Sequence, residues 1–171
     1  TLLLFIYIYM NKKIIYYYQT FSNLNDILID NPNVTHIHLS AFHFGTDEHN
    51  NPYLHLNDFC PNDSKFNSVW SDIKKAHSLG IKIIMMLGGA GGAYSTLFSN
   101  FDLYYKITKS FIDSNKDIID GIDLDIEESI GLNPTIKLIK QLKMDFPLDF
   151  IISMAPIQSS LEYDINGMGG F

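Results

Sequence analysis

Acidic and aliphatic residues alternate through "IIDGIDLDIEES", Ile118 to Ser129: Asp123, Asp125 and Glu127 are separated by Leu124 and Ile126, with Ile122 ahead of them. Period two is a strand signal, because successive strand side chains point to opposite faces. A strand here puts the three acids on one face, roughly 6.5–7 Å apart, and the aliphatics on the other. Ile118 and Ile119 lead in, so the segment reads as buried rather than as a solvated acidic edge. Apolar runs at Ile14–Gln19, Thr35–Phe42, Ile81–Leu87 and Phe150–Ala155 read as further strands, and Tyr53–Asp58 as a small extra one. Helical spacing covers Leu24–Asp30, Asn67–Leu79 (ended by Gly80), Phe101–Ser114 and Thr135–Met144, the last opened by Asn133-Pro134. Gly45–Asn51, the glycine-rich "GGAGGAY" and the stretch after Pro156 read as loops. The order is β-α repeated with near-continuous apolar strands, which predicts a parallel sheet covered by helices. A doubly wound sheet and a β/α barrel both fit, and both gather function at the C-terminal ends of their strands.

The acid strand carries the candidate chemistry. Stacked carboxylates repel, so at least one should hold a proton at a pH where a free carboxyl would not. A calcium loop started at Asp123 would put Glu128 where glycine is required and Pro134 where glutamate is required, so that reading fails. No histidine or cysteine lies near in sequence, and no metal is expected. The glycine loop lacks G-x-G-x-x-G spacing and no Lys-Ser/Thr follows it, which argues against a nucleotide; no cofactor is expected. His36 and His38 share a strand face with Ser40 and read as polar interior residues, and Trp70 reads as helix packing.

The 171 residues, 46% hydrophobic, make one domain's worth of globular protein. A net charge of −7 with scattered lysines argues against nucleic acid as a partner. A single cysteine, Cys60, excludes an internal disulfide framework. Residues 1–9 form an apolar leader or partial signal segment, too short to span a bilayer at about 20 residues, which leaves 10–171 as the domain. Asn33-Val34-Thr35 and Asn62-Asp63-Ser64 fit the glycosylation sequon, so secretion stays open beside an intracellular location.

"DGIDLDIE" resembles the D-x-x-D-x-D-x-E signature of glycoside hydrolase family 18, the chitinases and their relatives, with matches at Asp120, Gly121, Asp123, Asp125 and Glu127. Ile126, where many members carry an aromatic, is similar to the plant and fungal class III branch. "IKIIMMLGGAGGAY" resembles the family's third strand and S-x-G-G motif; Gly88 and Gly89 match, while Met86 replaces the usual serine. "IIYYYQTF", "VTHIHLSAF" and "FIISMAP" resemble its first, second and fifth strands, so the likeness runs from Lys13 to Pro156.

The resemblance implies a (β/α)8 TIM barrel of which about five units are present, a truncated catalytic domain. It implies a glycosidase that hydrolyses β-1,4 bonds in chitin or N-acetylglucosamine oligosaccharides, with retention and with the substrate's acetamido oxygen as nucleophile. Glu127 would be the general acid. Asp125 would hold the acetamido N–H and stabilise the oxazolinium ion, and Asp123 would share a proton with Asp125. Asp120 and Gly88 would be structural. Tyr17 (Tyr16 if the register is off by one), Phe42, Gly89 and Met154 would line the sugar site. An endo-β-N-acetylglucosaminidase acting on N-glycans and a glycan-binding lectin are the alternatives; the retained Glu127 argues for an enzyme.

Overall fold

A computed structural model describes residues 12–158 apart from 32. The leader read at 1–9 and the loop read beyond 158 lie outside the described residues. The chain forms β1 (Ile15–Tyr18), α1 (Leu24–Asp30), β2 (His36–Thr46), β3 (Pro52–Leu56), a 3-10 turn (Ser64–Phe66) and α2 (Asn67–Ser78). Then come β4 (Lys82–Gly88), α3 (Ala93–Ser99), α4 (Phe101–Ser114), β5 (Gly121–Asp125), α5 (Leu132–Asp145) and β6 (Ile151–Met154). Five strands pair in parallel in the order β1-β2-β4-β5-β6, and β3 pairs antiparallel with the far end of β2. With helices between them, the parallel strands make a half-barrel.

Two faces of this sheet do different work. Ile37, Leu39 and Phe42 of β2, Ile83, Met85 and Leu87 of β4, and Ile122 and Leu124 of β5 face the helices. There they join Val69, Ile73 and Ala76 of α2, Ile112 of α4, and Leu138 and Leu142 of α5 in one core. Each fully buried aliphatic stabilises the fold by about 1.5–3 kcal/mol. The opposite face carries Tyr17, His38 and Ile84 in one row of the strand register and Met86, Asp123 and Ser153 in the next.

Local signals explain the helix starts. The Asn23 side chain accepts from Asn25 N at the head of α1, and Asn100 accepts from Leu103 N at the head of α4. Three elements differ from the sequence reading. β2 runs on to Thr46, through the start of the segment read as a loop, because β3 pairs with its extension. α3 arises within and after the glycine-rich stretch, and α5 begins at Leu132, so that Pro134 lies in its first turn. Trp70 lies on α2, where its indole N–H donates to Pro61 O at 2.8 Å. Cys60 is a free, exposed thiol. Among the described residues no helix is long and apolar enough to cross a membrane.

Candidate active site

The acids gather where β5 ends. Asp123 lies inside the strand, 1% exposed, and Asp125 is its last residue, half-buried. Ile126 turns into the core just past the strand end, and Glu127 follows, half-buried. The alternation thus outlasts the ladder by two residues.

Asp123 is held from three strands. Ser153 Oγ of β6 donates to Oδ1 at 2.6 Å, and Tyr17 OH of β1 donates to Oδ2 at 3.3 Å. His38 Nδ1 of β2 stands 3.3 Å from the same Oδ2, at ion-pair distance but off the line a hydrogen bond needs. Burial pushes the Asp123 carboxyl up, but His38, Ser153 and Tyr17 together outweigh it and hold the group below the usual carboxylate range. Asp125 has the opposite fate. Burial first, then the charges of Glu127 and Asp123, push its carboxyl up to about 6. Two neighbouring carboxyls are therefore driven apart, one kept ionised and the other inclined to keep a proton, the pattern by which environment sets different roles. Burial and Asp123, as charge and as acceptor, also push the Tyr17 phenol up to about 12, so it stays a donor.

The glycine loop closes one side. Gly88 pairs with Asp125 at φ +104°, and a Cβ there would lie 2.3 Å from Asp125 O and 2.6 Å from Tyr94 Cε2. Only glycine fits that approach. Gly89 N donates to Asp125 O at 2.8 Å, and a Cβ on Gly89 would lie 3.4 Å from Asp125 Oδ2. Asp120 works at the other end of β5, where it accepts from Lys82 Nζ at 2.7 Å and Ile83 N at 2.9 Å, with His77 Nε2 at 3.4 Å. It fastens β4 to β5 and α2.

Tyr17 and Gly89 thus meet the acids, and Tyr16 packs on the helix side. Phe42 and Met154, expected at the sugar site, do not. Phe42 is fully buried against Phe111 of α4, with ring centroids 5.1 Å apart. The strand register shifts between Leu39 and Phe42, and this turns Phe42 to the helix face. Met154 pairs with Leu124 and packs against the core; its neighbour Ser153 is the β6 residue that reaches the acids.

The sequence reading missed Ser153, His38 as a partner of Asp123, and Glu128. The Glu128 carboxylate accepts from Tyr94 N and Ser95 N, both at 2.8 Å, and from the Ser95 hydroxyl. It caps α3 from the loop that carries Glu127, tying that loop to the glycine turn. Among the described residues no cluster of three or more His, Cys, Asp or Glu side chains suits a metal ion.

The model for "Glycosyl hydrolases family 18" matches residues 13–168. Chitinase 2 of Rhizopus oligosporus is 34% identical over 103 residues, 52% of this chain and 18% of that protein. The acidic endochitinase SE2 of Beta vulgaris is 33% identical over 89 residues, 47% of this chain and 30% of its own length. Among solved structures, the chitinase ChiC of Aspergillus fumigatus aligns with a TM-score of 0.80 at 32% identity, covering 93% of this chain and 59% of that one. A fungal endo-β-N-acetylglucosaminidase aligns at 0.74 and 28% identity, over 89% of this chain and 57% of that one. The chain thus spans less than two thirds of each of these relatives.

Proposed function

The chain belongs to glycosyl hydrolase family 18, and we propose that it carries the acid half of a glycosidase site for chitin or N-acetylglucosamine oligosaccharides. The observation that carries this reading is the gathering of Asp123, Asp125 and Glu127 at the end of β5, with Asp123 held by donors from β1 and β6 and Gly89 beside Asp125. In the proposed chemistry Glu127 gives its proton to the glycosidic oxygen as the C–O bond breaks. The carbonyl oxygen of the 2-acetamido group closes on the anomeric carbon, forming an oxazolinium ion. Asp125 accepts the acetamido N–H and, with Asp123 behind it, offsets the positive charge. Glu127, now a carboxylate, then takes a proton from water as that water opens the ring with overall retention. Gly89, with no side chain, leaves the approach to Asp125 open, and Tyr17 flanks it.

Cleavage within the core of N-glycans is the second reading, favoured by the likeness to the fungal endo-β-N-acetylglucosaminidase. It uses the same acids. Retained Glu127 speaks against a purely glycan-binding role.

Incubating the full-length protein separately with chitin oligosaccharides, their de-acetylated counterparts and an N-glycoprotein, with products read by mass spectrometry, tests the reading. Cleavage of the acetylated oligosaccharide without cleavage of the de-acetylated one is expected, because the nucleophile is absent from the latter. Release of N-glycans alone would favour the second reading. Equal turnover of both oligosaccharides would defeat the acetamido mechanism.

A further inference from the structure

His38 is 1% exposed, and nothing in the proposed chemistry uses it. Among the described residues its Nδ1 is buried without a hydrogen-bond partner, 3.3 Å from Asp123 Oδ2. Buried polar atoms are nearly always satisfied, so one left aimed at a carboxylate asks for an explanation. The surroundings narrow the choice. Tyr17 of β1 sits edge-on to the imidazole, centroids 4.8 Å apart. Ile84 of β4 stands level with His38 and carries no charge. His36 lies two residues back on the same strand, where the Thr35 hydroxyl occupies its Nδ1 at 2.8 Å. From β6 it is Ser153, a neutral hydroxyl, that reaches the same acid. The anion His38 faces is Asp123, with Asp125 next along the same face of β5. Met86, paired with Asp123 on β4, has a thioether and no proton to donate. Among the described residues, the side chains that reach this carboxylate come from β1, β2 and β6, and His38 is the β2 contribution.

We infer that His38 is a positioning residue of the acid site: its Nδ1–H fixes the orientation of the Asp123 carboxylate and keeps Asp123 the more acidic member of the Asp123–Asp125 pair. The inference rests on the roles proposed above for the two aspartates. A charge-assisted bond from a rigid, buried ring fixes both the orientation and the charge of its acceptor. A rotation of the imidazole that brings this 3.3 Å contact into line makes the bond.

Two substitutions in the full-length protein separate this role from simple packing. His38→Asn places an amide N–H close to Nδ1, whereas His38→Gln places it closer to Nε2 and leaves Asp123 without the donor. The Asp123 carboxyl is titrated by 13C NMR, and kcat and KM are followed against pH with a chitin oligosaccharide. In His38→Gln the Asp123 midpoint should rise by about one pH unit, as loss of a charge-assisted donor implies. The acidic limb of the kcat profile should move up with it. At the optimum, kcat should fall about tenfold while KM stays within about twofold, the signature of a lost transition-state contribution. His38→Asn should recover most of both effects. An unmoved Asp123 midpoint in His38→Gln would overturn the inference. That readout needs no turnover, so it stands apart from the glycosidase reading: an inactive parent enzyme with a shifted midpoint would sink the proposed function and leave the His38–Asp123 pairing intact.

Discussion

Glu127→Gln in the full-length protein should lower the hydrolysis of chitin oligosaccharides by roughly 10²- to 10⁴-fold, the usual worth of a positioned general acid. Glutamine keeps the shape and the hydrogen-bonding ability of glutamate but has no acidic proton to pass to the leaving oxygen. The acid acts as the glycosidic bond breaks, so affinity for the same oligosaccharide should change little. The variant should also melt close to the parent, because Glu127 stands past the end of β5, half-buried and outside the strand ladder. A structural role predicts a different result, in which stability, binding and turnover fall together. Melting temperature, affinity and turnover measured on one preparation separate the two.

Asp125→Asn should combine a large loss of activity with a gain in stability. Removing the group proposed to offset the oxazolinium charge should lower kcat by roughly 10²- to 10³-fold, as for other preorganised electrostatic contacts. The stability effect follows from linkage. Folding raises the Asp125 carboxyl from 3.8 to about 6. Between those values the native state binds more protons than the unfolded chain, so this group's contribution to stability falls as pH rises through the window. Above it, the folded protein bears the cost of a charge placed next to Glu127 and Asp123. Asparagine carries no such charge. The variant's melting temperature should therefore exceed the parent's by an amount that grows between about pH 4 and pH 6 and then levels off near neutrality. Asp125 is only half-buried, so solvent screening keeps the gain modest. Thermal melts at several pH values check it; a difference that does not change with pH would mean that Asp125 is not held against its neighbours.

The same residues show how far the sequence could be read. The alternation of Asp123, Leu124, Asp125, Ile126 and Glu127 reports a strand face directly, because both sides of that strand are constrained: apolar toward the helices, ionisable toward the site. Helices α1 and α4 are equally legible, since their apolar spacing and asparagine caps are local. Features that depend on partners far along the chain were not. α3 is only seven residues long, follows four glycines in five positions, and has its first amides bound by Glu128, 34 residues downstream of Tyr94. The extension of β2 depends on pairing with β3. The resemblance implies Phe42 at the sugar site, and the register shift after Leu39, which no local pattern announces, puts it on the helix face instead. In "FIISMA" apolar residues stand on both faces, so the pattern does not say which face meets the acids; the pairing of Asp123 with Ser153 decides it.

In the proposed mechanism the acids of β5 work on a substrate that supplies its own nucleophile. The anomer of the first product reports on this most directly. Proton NMR of a chitin oligosaccharide digest by the full-length protein, recorded before mutarotation, resolves the two forms of the new reducing end. Attack by the acetamido oxygen followed by water from the opposite face predicts that the β-anomer appears first and the α-anomer grows in later. If the α-anomer forms first, water has displaced the leaving group directly, and the roles given to Asp125 and the acetamido group are contradicted.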